Sequence, residues 1–450
     1  MPARRLPRFL ARSAALLGLT LGGTASAWPK LQGVAESSLG YTDNVRTTPE
    51  NGEELGAARS RGVFWMLSPG VVMAVQTRRV LQRLSYRYEY DFYFAESSAS
   101  SSSNRLEYRG YVDLLPRVAL VLGANVNQSD RFSSVAFSAP GAGAANVLPA
   151  QGGAFLQGGA DELLSFDLHP RWRAWQGASF VADTPIFDSD GPRTLAFGGR
   201  AGIEHLFLLD AVGLEARADY SIVKDGVLSD GTPTGRQRQL VAGAVGQWRH
   251  DWGPMITSSA EAGVVRVRRL DTGRGFWSPI GGATLAYVDE FGDVQLSYAH
   301  AVTTNPLVGQ SLLVDEVRLR GALPLLPQGI LMAAASAGYQ HGRLIAEDAT
   351  LAARIDVALL DLSLAWQATK SLELGARYQH VRQSSDATRP PLPLSFIQNN
   401  VLLGATLKFP PERDMPRAYR APRRVDRTDE IRDGFGTSAD GPRVPGDIGR

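Results

Sequence analysis

The residues that could do chemistry in this chain are arginines and carboxylates set at every second position. In Val80–Phe94 (VLQRLSYRYEYDFYF), Arg83, Ser85, Arg87, Glu89 and Asp91 alternate with Leu84, Tyr86, Tyr88, Tyr90, Phe92 and Phe94. In Arg105–Leu114, Arg105, Glu107, Arg109 and Asp113 stand against Leu106, Tyr108, Val112 and Leu114. Guanidiniums and carboxylates at this spacing pair with one another and offer donors and acceptors to a polar solute. They do not form a bond-making constellation.

Bond-making motifs are missing. The six histidines, His169, His205, His250, His300, His341 and His380, form no HxxxH or HExxH pattern, and the chain has no GxSxG elbow and no phosphate-binding loop. Asp188-Ser189-Asp190-Gly191 could lend carboxylates to calcium, but an Asp-Gly turn accounts for it without metal. The reading is a protein that is not an enzyme, with no catalytic residues, no cofactor and no metal.

A period of two requires extended strands, because successive side chains leave opposite faces. Charges of both signs on one face and large aromatics on the other suit a strand with lipid outside and a wet lumen inside. The pattern recurs from Gly33–Val45 through Gly62–Gln76, Glu162–Leu168 and Leu351–Trp366 to Phe396–Phe409, about eighteen strands in all. Connections alternate. Short ones such as Thr77-Arg78-Arg79 and Leu115-Pro116 follow even-numbered strands, and longer ones such as Thr47–Arg61, Ala95–Asn104, Ser129–Gly159, His341–Asp348 and Gln383–Leu394 follow odd-numbered ones. Trp172, Trp248, Trp252 and Trp366 lie beside the short turns, where an interfacial girdle belongs.

The fold expected is all-β: a transmembrane antiparallel β-barrel of about 18 strands in the cell outer membrane, with an N-terminal signal peptide and a disordered C-terminal tail. Residues 1–27 carry Arg4, Arg5, Arg8 and Arg12, an apolar Ala14–Leu21 and the Ala25-Ser26-Ala27 cleavage pattern of a signal peptide. Residues 28–409 make the barrel. Residues 410–450 have no period and few large apolar groups, as a solvated periplasmic extension would. The 450 residues include no cysteine, and no apolar run is long enough for a membrane helix. A net charge of +2 gives no reason to expect a nucleic-acid partner.

By phase, the lumen-facing set is Arg83, Arg87, Glu89, Asp91, Arg105, Glu107, Arg109, Asp113, Arg200, Glu204, Glu215, Arg217, Asp219, Glu261, Glu316, Arg318, Arg320, Glu373 and Arg377. Arg105, Glu107 and Arg109 are expected as cross-strand partners of Arg83, Arg87, Glu89 and Asp91. The wall is too wide for side chains to fill, and Ser129–Gly159 is the candidate lid.

The first strand, Ala35–Val45 (AESSLGYTDNV), carries Gly40, Tyr41 and Asn44 in a Gly-Tyr-x-x-Asn pattern. It resembles the opening of outer-membrane β-barrel porins, including barrels associated with exopolysaccharide export. The 410–450 tail departs from that pattern, in which the chain ends at the terminal aromatic strand. The resemblance implies outer-membrane lipid around the barrel, a secreted polysaccharide as substrate and a periplasmic polysaccharide-export protein as partner. The expectation is therefore a passive conduit for polysaccharide export. A general diffusion porin for small solutes and a structural or adhesive barrel with binding loops stand as alternatives.

Overall fold

The computed structural model describes residues 29–45, 60–77, 79–129, 154–186, 193–227, 233–289, 292–305, 310–326, 329–344, 354–386 and 395–411. The segment expected to be a signal peptide, all but the start of the expected tail, most of Ser129–Gly159 and the whole of Asp188–Gly191 lie outside these residues.

Eighteen strands follow in chain order: β1 (Lys30–Thr42), β2 (Gly62–Gln76), β3 (Val80–Tyr93), β4 (Ser101–Leu115), β5 (Val118–Ser129), β6 (Phe155–His169), β7 (Trp172–Pro185), β8 (Arg193–Leu206) and β9 (Asp210–Val227). The second half holds β10 (Pro233–Asp251), β11 (Ile256–Arg269), β12 (Gly275–Asp289), β13 (Gly292–Asn305), β14 (Gln310–Pro324), β15 (Leu331–Leu344), β16 (Arg354–Gln367), β17 (Leu372–Ser385) and β18 (Phe396–Phe409). Each pairs antiparallel with its chain neighbours, and β1 pairs with β18, so the sheet closes without an edge. Closure satisfies the backbone groups that hydrocarbon could not. Side chains finish the seam. Asn399 donates its backbone N–H and its amide to Asp43, each at 2.7 Å. Asn44 donates to the Ile397 carbonyl at 3.0 Å, and Gln398 to the Asn44 carbonyl at 2.8 Å.

Several strand ends differ from the sequence expectation. β1 starts at Lys30 and stops at Thr42, β4 takes in the serines from Ser101, β6 begins at Phe155 and β15 runs through His341 to Leu344. These stretches are small, polar or Gly-rich, so they lack alternation. They pair because backbone hydrogen bonds need no particular side chain and the neighbouring strand supplies the ladder. Two prolines interrupt ladders. Pro69 sits in the gap of the β2–β3 ladder between Leu67↔Tyr90 and Gly70↔Arg87, across which the register is unchanged. Pro279 lies above Gly281↔His300, where the β12–β13 ladder ends, although β12 remains paired with β11 up to Gly275. Proline has no N–H to donate.

The two ends of the barrel differ. At one, connections run from two residues (Pro116–Arg117) to six (Leu325–Ile330); at the other they reach from four (306–309) to twenty-five (130–154). Short turns mark the periplasmic end. The outer surface is apolar in between. On β16, Ala358, Leu360, Leu362 and Leu364 separate Asp356 from the exposed Trp366. Those ten steps, at about 3.3 Å each on a strand tilted by about 40°, rise about 25 Å, the height of an outer-membrane apolar band. Trp172, Trp248 and Trp252 are exposed at the same short-turn end as Trp366.

Candidate functional site

The face that carries the charges is the concave one. Three contacts reach over an intervening strand: Arg87 to Glu36 at 3.4 Å across β2, Trp175 Nε1 to Glu215 at 3.1 Å across β8, and Arg217 to Glu261 at 3.1 Å across β10. Side chains two strands apart converge only on the inside of a curved wall. Glycine makes such reach feasible. Gly202 lies directly beneath the Trp175 ring, and a Cβ there would overlap it. Gly123 is covered in the same way by the Asp161 carboxylate.

The registers place every member of the expected set on this face. Arg83, Arg87, Glu89 and Asp91 of β3 share it with Arg105, Glu107, Arg109 and Asp113 of β4. Arg200 and Glu204 of β8 share it with Glu215, Arg217 and Asp219 of β9, and Glu261 follows on β11. Glu316, Arg318 and Arg320 come from β14, Glu373 and Arg377 from β17.

The pairing differs from expectation. Arg83 stands directly opposite Arg109, Arg87 opposite Arg105, and Arg200 opposite Arg217. Glu89 and Asp91 face Ser103 and Ser101. The register, fixed where the turn at Ser97–Ala99 joins the two strands, slides the carboxylates past the arginines. Compensation comes from elsewhere. Arg87 turns to Glu36; Arg105 lies 3.8 Å from Glu107 on its own strand; Asp161 sits within electrostatic reach of Arg109 and Arg200. On the far wall Arg318 pairs with Glu316, and Arg320 donates to Gln295. Arg377 forks onto Asp361, its Nε 2.9 Å from Oδ2, while Gln379 donates to the same oxygen at 3.1 Å. Glu373 pairs with Lys408 at 3.5 Å.

Glu36, Asp161, Arg173, Asp361 and Lys408 belong to this wall and were not singled out from the sequence. Arg173 lies 3.0 Å from Asp167 and 3.8 Å from Glu204. Parity would have found Asp361, which shares its face with Ser363, but Arg354–Gln367 is so aliphatic that one acid did not define a polar side. The wall is also less uniformly polar than expected. Val245, Val265, Val267 and Ile280 form a buried inward cluster, as do Phe64, Met66 and Leu402. The inward rings of Phe64, Phe155, Trp175 and Phe396 are buried as well.

A closed barrel with an apolar band of membrane height and a charged inner face is an outer-membrane β-barrel, and eighteen strands leave a lumen wider than wall side chains can fill. No family model and no curated protein matches the sequence. Solved structures resemble the barrel at low identity. OccK2 (OpdF) of Pseudomonas aeruginosa, crystallised in complex with glucuronate, is 14% identical, with 85% of this chain and 98% of that chain covered and a TM-score of 0.45. OccAB3 of Acinetobacter baumannii is 11% identical, with 85% and 99% covered and a TM-score of 0.44. OpdK of Pseudomonas aeruginosa, crystallised with vanillate, is 12% identical, with 84% and 99% covered and a TM-score of 0.43.

Proposed function

We propose that the protein is a passive outer-membrane channel for small hydrophilic solutes, with a bias toward small anions. The observation that carries this reading is the set of like-charged pairs on the inner wall. Arg83 with Arg109, Arg87 with Arg105, and Arg200 with Arg217 each bring two guanidiniums to opposing positions. A pair of guanidiniums can give a carboxylate paired hydrogen bonds, although Arg87 and Arg217 also serve Glu36 and Glu261. The interleaved Glu107 and Asp161 keep any such contact weak, and a conduit needs binding sites that a solute can leave.

The small-solute reading is preferred to polysaccharide export. A sugar polymer moving along a wall is served by exposed ring faces, whereas among the inward rings Phe64, Phe155, Trp175 and Phe396 are buried and Tyr93 and Tyr111 half-buried. The tests are planar-bilayer conductance and reversal potential. The native barrel is expected to give discrete conductance steps and measurable anion permeability. Replacing Arg83, Arg87, Arg105 and Arg109 together by Gln is expected to leave the steps and shift the reversal potential toward cation preference. A native protein without steps would overturn the channel, and an unmoved reversal potential would overturn the role of the arginine pairs.

A further inference from the structure

On the outer surface an alternating line of His300, Asp315, His341 and Asp356 crosses β13 to β16, each directly opposite the next. Nδ1 of His300 lies 2.7 Å from Asp315, and Nδ1 of His341 lies 2.8 Å from Asp356. Tyr298 and Tyr339 donate to the same carboxylates at 3.0 and 2.6 Å. Tyr378 and His380 repeat the arrangement on Asn399, both at 2.8 Å. Carboxylates facing outward mark the upper limit of the hydrocarbon, where tyrosine and histidine rings meet lipid headgroups.

On β15, β16 and β17 the next outward-facing places toward the long-loop end are basic, while Val302 of β13, Leu313 of β14 and Ile397 of β18 are apolar. Arg343 of β15 stands directly opposite Arg354 of β16, and Arg382 follows His380 on β17. Around the barrel, at the same end, Arg193 of β8 stands directly opposite Lys224 of β9. All five are exposed, and none makes an ion pair at contact distance among the described residues; Arg354 lies within electrostatic reach of Asp356. The nearby carboxylates are engaged. Asp356 holds His341 and Tyr339, and Asp386 accepts the backbone N–H of Arg354 at 2.7 Å. Like charges directly opposite on a sheet repel, so two such pairs at the long-loop end favour an external anion.

We propose that this outward basic band binds the phosphate groups of the outer-leaflet glycolipid, with Arg343 and Arg354 gripping one phosphate and Arg193 and Lys224 another. The collar below fixes the depth, because acyl chains lie against Leu360–Leu364 while the phosphorylated sugar sits level with the guanidiniums. Arginine is suited to this contact, since its fork takes two phosphate oxygens at once. The proposal is independent of whether the lumen conducts.

The test uses the full chain in detergent micelles, with lipid retention read by native mass spectrometry. Bisphosphorylated lipid A is expected to remain bound, and phosphate-free lipid A of the same acyl composition to be lost. The double substitution Arg343→Gln/Arg354→Gln is expected to cut retention by about tenfold or more while the barrel keeps its heat-modifiable gel mobility. Equal retention of the phosphorylated and phosphate-free lipids by the native protein would overturn the proposal, whatever the variant does. So would unchanged retention in the folded variant. Full displacement by inorganic phosphate would mark a free-anion site in place of a lipid site and would equally overturn it.

Discussion

Leu362 and Tyr88 both point outward, yet they meet different surroundings. Leu362 sits midway between Asp356 and Trp366. Tyr88 stands opposite Asn104, whose side chain already accepts from Tyr86 at 2.8 Å, so it lies at the polar rim. Leu362→Arg is therefore expected to cost about 2–4 kcal/mol, and Tyr88→Arg about 0–1 kcal/mol. Urea midpoints of barrels refolded in lipid vesicles check the difference, and equal midpoints would mean that the band is misplaced. The unbroken aromatic column Tyr86–Phe94 reads in the sequence as wholly lipid-facing. The structure leaves its parity intact and moves its upper half to the headgroup level. The Tyr-x-His repeat of Tyr298-Ala299-His300, Tyr339-Gln340-His341 and Tyr378-Gln379-His380 was equally open to reading. No histidine in it follows a metal or catalytic spacing, and its partners Asp315, Asp356 and Asn399 come from the following strands.

Among the elements, β7 to β9 and β12 to β13 show how small changes in the ladder shape the wall. Trp175 lies flat across Gly202 and bonds Glu215. Gly202→Val would push the ring off the wall and break that bond, at an expected cost of about 1–3 kcal/mol. Thermal melting should fall accordingly, and narrower conductance steps should accompany it because the indole then projects into the lumen. An unchanged melting temperature would show that the ring has room to move. The β12–β13 ladder stops at Gly281↔His300 below Pro279. Peptides covering 275–280 are expected to exchange amide hydrogen faster than those covering 281–289, because fewer of their N–H groups are held. Uniform protection along β12 would contradict this.

For the whole molecule, stability depends on the first strand meeting the last. Asn44 and Gln398 bridge the β1–β18 seam, so Asn44→Ala is expected to cost about 1 kcal/mol and to leave conductance unchanged, as read by urea unfolding and bilayer recording. No loss of stability would mean that the backbone ladder alone closes the barrel. The period of two, the eighteen strands and the alternation of short and long connections were legible along the chain, because lipid on one side and water on the other dictate which side chain comes every second residue. The inward parity of Arg83 to Asp91 was legible for the same reason. Register was not. That Arg83 meets Arg109, that Arg87 reaches Glu36, and that Arg377 forks onto Asp361 are decided by how strands far apart in sequence slide against one another. That sliding is set by turns, bulges and closure, which leave no periodic trace. The alternating His–Asp line and the basic pairs above it likewise exist only across strands. The sequence by itself determined that this is a barrel and which residues share a face; the tertiary structure decided which of those residues touch, because strand register depends on turns, bulges and closure.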